Sequence, residues 1–311
     1  MATETEQNAE TINRNIWANL ETHGREKVAL DMINNYTRLR MREDGFLRKI
    51  MPGIPIQNDK LDRALNHEKP IKIIDREPNS PAAISIPFGT LPDTVLIRGS
   101  KYIVAFERIV SPRFTKDSGE LRTYEMDIRQ IVSDNAVKDM LAEEDGKFIR
   151  GVNTALIGQD MVTAWSQTTQ WESLSGGVSR NNWYDSLMIM PRTDAHLMVK
   201  KALMNNVTIM QFQKWDRNEA GGDLSEEMLR DGFTMRKLGE VEIYSTIKRS
   251  LVPDNSVYFF ADDNFIGKHF TLEDTVMYVK REAFMMEFFA YQTSGIGIGH
   301  TGGLARADYL N

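Results

Sequence analysis

The chain has 311 residues, 41% of them hydrophobic and 26% charged, with a formal net charge of −6 and no cysteine. Disulfides, thiolate catalysis and cysteine-ligated zinc are therefore excluded. The acidic balance argues against a protein that holds nucleic acid by neutralising phosphates, and no apolar run reaches membrane-spanning length.

Met1 to Glu10 is acidic and polar, the opposite of a signal or transit peptide, so the expected setting is a cytoplasm. Ile12, Ile16 and Leu20 recur at four-residue spacing beside Trp17 and predict a short amphipathic helix. A second helix is expected from Thr22, with Val28, Met32, Ile33, Tyr36 and Leu39 on one side, ended by Pro52, Gly53 and Pro55. These first fifty-odd residues read as an arm.

From Pro78 to Arg122 the period is two. Ile84, Ile86 and Phe88 alternate with Ser85 and Pro87, Val95 with Ile97, and Tyr102, Val104 and Phe106 follow before a charged tip at Lys116 to Glu120. Alternation with β-branched and aromatic residues predicts strands, and with no helix between them they must form antiparallel hairpins. An isolated hairpin is marginal in water, so this one is expected either to complete itself on a neighbour or to pack on its own domain.

The longest predicted element is a helix from Ser133 to Leu156, with Ser133 as its N-cap. Val137, Met140, Leu141, Phe148, Val152, Ala155 and Leu156 recur at three-and-four spacing and form its candidate core face. Glu144 interrupts that stripe and Gly146 and Gly151 weaken it, so packing must hold the helix. Gly158 is the predicted stop.

Beyond it, Leu187 to Met190 is read as a buried strand, and Thr193 as the cap of a helix carrying Leu197, Val199, Ala202 and Leu203. Val207 to Phe212 is read as a strand, and Ser225 opens a short helix closed by Gly232. Val241, Ile243 and Ile247, then Val257 and Phe259, predict strands around the Val252 to Asn255 turn, and Asp262 to Asn264 turns again. Val276 and Tyr278, then Phe284, Met286, Phe288 and Ala290, predict two long strands or one bent strand.

Motifs that carry chemistry are scarce. Gly295 to Gly303 alternates glycines, but only eight residues follow it, so it cannot open a dinucleotide-binding helix. Close backbone packing is the expected use of these glycines, and neither ATP nor NAD is expected to bind there. The five histidines lack metal-ligand spacing, and no Gly-x-Ser-x-Gly elbow occurs. Neither a catalytic residue, a metal site nor a cofactor is expected.

The order of parts resembles the major capsid protein of tailed bacteriophages, the Hong Kong 97-type capsid fold. The run Thr275 to Phe284, continued by Glu287 to Tyr291 and Ile296 to Ile298, is similar to that family's long strand pair. Leu238 to Gly267 is similar to the strand-turn-strand before it. The resemblance implies an α+β fold with an N-terminal arm (residues 1–55) and a lead-in to the peripheral domain (56–77). An extended β-hairpin loop (78–123) and the spine helix (124–158) follow. A mostly axial domain (159–265), the long peripheral strands (266–293) and a return to the axial domain (294–311) complete it. It implies a non-enzymatic shell protein assembling with itself as hexamers and pentamers around double-stranded DNA, without sequence-specific contact or membrane. A portal protein would occupy one vertex, and scaffolding, if any, would be separate because little chain precedes the arm. Decoration proteins are a further class of partner. The setting would be the virion, assembled in the host cytoplasm. Candidate inter-subunit contacts are Ile84, Ile86, Phe88, Arg98, Arg108, Arg113 and Glu120. The alternatives are an encapsulin-like nanocompartment shell and an enzyme with an unmarked site.

Overall fold

The computed structural model describes Ala18 and residues 45–63, 68–76, 85–91, 99, 101–117, 128–160, 170–193, 195–212, 215, 237–238, 240–282 and 284–310, with the backbone alone at 128–135, 137, 158–160, 279 and 281. In chain order come α1 (Phe46–Ile50), β1 (Gly53–Pro55), β2 (Ile71–Asp75), β3 (Lys101–Val110), β4 (Phe114–Asp117) and α2 (Ile128–Asp160). Then follow β5 (Trp171–Ser175), α3 (Arg180–Leu187), β6 (Lys201–Asn205), α4 (Asn206–Phe212), β7 (Lys237–Leu238), β8 (Val241–Thr246) and β9 (Ser256–Phe260). The last are α5 (Asp263–Ile266), β10 (Gly267–Glu282), β11 (Met285–Ile298) and β12 (Leu304–Leu310).

Two mixed sheets result. The compact one runs β5-β12-β9-β6-β8-β7. Its strand β9 is buried at every residue because helices cover both faces. On one face Tyr258, Phe260, Leu203 and Leu304 pack against α1 and Phe148, Ile149, Val152 and Leu156 of α2. Phe148 stacks on Phe260 with ring centroids 5.6 Å apart. On the other face Val257, Phe259, Met204 and Tyr309 meet Trp183 of α3 and Ile209 and Phe212 of α4.

The long sheet runs β1-β10-β11-β3-β2, with β4 joining β11 in line beyond β3. The predicted long strands are two, β10 and β11, paired antiparallel from Gly267↔Ile298 to Glu282↔Met285. The glycine-rich end of β11 lies against β3. A Cβ on Gly297 would come within 2.3 Å of Val104 Cγ2, and one on Gly299 within 2.7 Å of Tyr102 Cε1. The glycine run is therefore a close-packing device, filled by Val104 and Tyr102.

Several expectations are corrected. The spine helix is longer than Ser133 to Leu156 and runs through Gly158, while Gly146 and Gly151 let Leu251 and Ile298 approach to 3.6 and 3.5 Å of where a Cβ would stand. Val207 to Phe212 is helical: Asn205 Oδ1 accepts from Thr208 N, and Thr208, Ile209 and Phe212 are buried at helical spacing. The helix expected after Thr193 is absent; Lys201–Asn205 is a central strand whose two covered faces erase alternation. Leu187 to Met190 ends α3 and turns, with Ser179 capping that helix through Asn182 N. Residues 85–91 hold a turn and no strand, and the leg at 101–117 pairs with β2 and β11. The arm's end is docked, with Phe46, Leu47 and Ile50 buried. The helices expected from Ile12 and Thr22, the strand at Val95 and Ile97, and the helix at Ser225 lie outside the described residues.

Candidate assembly surfaces

Two carboxylates of α2, Glu144 and Asp145, are wholly buried. Glu144 Oε2 accepts from Arg48 Nε at 3.2 Å, and its Oε1 lies 3.4 Å from His269 Nε2 on β10. Arg48 also donates to Gln292 Oε1 on β11 at 2.9 Å. Asp145 accepts from Leu47 N at 3.1 Å and from Lys248 Nζ at 2.6 Å. Burial alone would raise both acids. For Glu144 the neighbouring His269 and Arg48 outweigh it and hold the carboxyl below the usual range. For Asp145 burial wins over Lys248 and the Leu47 amide and pushes it up. Among the described residues, His269 Nδ1 and Nε2 and Gln292 Nε2 make no aligned hydrogen bond. Glu144 and His269 are both fully enclosed, and the pair forms a junction between elements. It pins α1, the root of the arm, onto α2 and both long strands.

Past that junction β10, β11 and β4 continue as a three-stranded ribbon. Its inner face buries Met277, Met286, Phe288 and Ala290. Ser111, at the break between β3 and β4, accepts from Ala290 N through its hydroxyl at 2.9 Å and keeps the two strands aligned on β11. The outer face carries an aromatic row. Tyr278 and Phe289 stand 4.9 Å apart, and Phe289 and Tyr291 6.4 Å apart. Arg113 lies over Phe289 and Arg108 over Tyr291, at 5.8 and 5.2 Å. At the ribbon's far end Phe284 is three-quarters exposed. Of this face Tyr278 and Phe284 are exposed, while Phe289 and Tyr291 are half-buried.

The candidate contacts fall in different places. Arg108 pairs within the chain, with Glu273 at 3.2 Å, and Arg113 sits on the ribbon. Ile86 and Phe88 stand exposed on the turn at 85–91. Ile84, Arg98 and Glu120 lie outside the described residues. Of the candidate spine core, Met140, Leu141, Phe148 and Val152 are buried, and the side chain of Val137 lies outside the described residues. Sequence reading passed over Asp145, His269 and Gln292. The one available signal was Glu144 standing inside an apolar stripe.

No family model and no curated protein matches the sequence. Solved structures do. A virus-like particle from Pyrococcus furiosus matches with a TM-score of 0.52 at 12% identity, covering 90% of this chain and 99% of that one. The capsid of a native GTA particle matches with a TM-score of 0.58 at 12% identity over 85% of this chain and 90% of the other. A chain of Microbacterium phage Oxtober96 matches at 0.57 and 10% identity, over 86% and 92%. The chain has the Hong Kong 97-type capsid fold.

Proposed function

We propose that the chain is the structural subunit of an icosahedral tailed-phage capsid, built from pentamers and hexamers and enclosing double-stranded DNA. The observation that carries this reading is fold likeness over 85% of the chain or more to subunits of phage, GTA and virus-like particles. On this reading the long sheet and α2 form the peripheral domain and the compact sheet the axial domain. Residues 78–123 are the extended loop, reaching a neighbouring subunit. The role is structural and not enzymatic. The subunit's partners are itself and a portal at one vertex. It acts in the virion after assembly in the host cytoplasm.

An encapsulin-like compartment is the second reading, favoured by the near-complete coverage of the Pyrococcus furiosus particle's chain. Electron microscopy and sedimentation of purified protein test the proposal. Closed shells of megadalton mass, or rings of five or six subunits, are expected. A monodisperse monomer in every salt condition, with or without co-expressed scaffold, overturns it. DNA with a portal vertex inside the particles supports the phage reading; packaged enzyme supports the compartment.

A further inference from the structure

The chain crosses from the compact sheet to the long one at 261–266 and returns at 299–303. Gly299 N and His300 N both donate to Ile266 O, at 3.0 and 3.3 Å, and Ala261 N donates to Gly303 O at 3.0 Å. The two crossings therefore run side by side. Short connectors at element ends are where hinges sit, and by themselves they leave the angle between the sheets free. An element that fixes that angle must bond to both sheets.

The short helix α1 does so. Phe46, Leu47 and Ile50 lie in one apolar cluster with Leu203, Tyr258 and Phe260 of the compact sheet, and Ile296 and Ile298 of β11 pack against the same cluster. Its polar ties divide between the sheets. Toward the long sheet, Arg48 Nη2 donates to Gln292 Oε1, mid-strand in β11, and β1 follows α1 closely and pairs with β10 from Gly53↔His269 to Pro55↔Thr271. Toward the compact sheet, Lys201 Nζ of β6 donates to Ile50 O at 2.7 Å and to Lys49 O at 3.3 Å. Carbonyls of a last helical turn have no partner within the helix. Lys201 is mostly buried and also pairs with Asp263 of α5, in the first crossing. The long helix α2 spans the same gap, and its buried Glu144 and Asp145 are themselves bonded to Arg48 and the Leu47 amide. A helix of 5 residues does not hold in water alone, so the place of α1 depends on these contacts.

We propose that α1 is a conformational clasp: docked, it fixes the angle between the long and compact sheets, and undocked, it frees that angle. Lys201 is the positioning residue on the compact side and Arg48 on the long side. The clasp is a property of the single subunit and stands apart from the shell reading. Gly45 leads directly into α1, so a ligand of the preceding segment that favours the docked or the undocked state shifts the sheet angle with it.

The absence of native cysteine lets two spin labels report the angle. Ile103→Cys on β3 of the long sheet and Met210→Cys on α4 of the compact side replace exposed side chains. The labelled full chain, diluted into unlabelled chain, gives the distance within one subunit by double electron–electron resonance. A single narrow distribution is expected in this background. Lys201→Met should fold, because Asp263 reaches solvent, and should broaden the distribution or displace it by several ångströms. Arg48→Lys, which shortens the tie to Gln292 while leaving a cation for Glu144, should do the same. Lys200→Met, which removes only the exposed pair with Glu240, should not. An unchanged distribution in both Lys201→Met and Arg48→Lys overturns the clasp. So does a broad distribution before either change, or equal broadening in Lys200→Met. Shell formation is scored separately and stands or falls on its own.

Discussion

The two sheets solve burial differently. The compact sheet is covered on both faces, and β9 has no exposed residue. The ribbon of the long sheet buries one face and carries Tyr278, exposed, and Phe289 and Tyr291, half-buried under two arginines, on the other. The compact sheet buries apolar side chains on both faces, whereas the ribbon leaves Tyr278 exposed on its outer face. The Glu144–Asp145 junction lies between them and fixes the root of the arm to both.

The comparison breaks most visibly at the compact core. Phe148→Asp would place an unpaired charge against Phe260, costing several kcal/mol, a large share of a domain's stability. Insoluble protein is expected; a soluble variant with an unchanged melting curve would deny Phe148 its place in the core. Next comes the junction. Glu144→Gln leaves Arg48 mostly buried without its carboxylate and should cost about 2–3 kcal/mol in a denaturant titration. A loss under about 0.5 kcal/mol, the scale of an ordinary surface change, would mean that the junction does not hold the arm's root.

The ribbon should respond in the opposite way. Tyr278→Ser, at a half-exposed position, should shift subunit stability by no more than about 1 kcal/mol while lowering particle yield. Equal loss in both measurements would make the aromatic row part of the fold and not of the interface.

The smallest effect concerns pH. Lys147, and then Lys69, hold Glu107 down at about 2 from its ordinary 4.5. A depressed carboxylate contributes stability that is present above its unfolded pKa and lost as pH falls toward the folded one. The stability gap between wild type and Glu107→Gln should therefore be constant above pH 4.5 and close between 4.5 and about 2. Glu107 is exposed enough for solvent to screen much of this, so raised salt should shrink the gap.

What the sequence alone determined is what local periodicity encodes. The α2 stripe from Met140 to Val152, the alternation at Tyr102 to Phe106 and at Met286 to Ala290, and the packing use of the late glycines were all legible. Each is a pattern of neighbours within one element, and the face it buries follows from period alone. Tertiary structure decided the rest. Lys201–Asn205 is a strand because β8 and β9 flank it and both faces are covered, which removes the alternation that would have announced it. Residues 206–212 are a helix because Asn205 caps them. The junction joins Arg48 to Gln292 across 244 positions, and Glu144 on α2 to His269 on β10. A buried charge is tolerable only when its counter-charge arrives, and that arrival is a property of the folded chain that no local period contains.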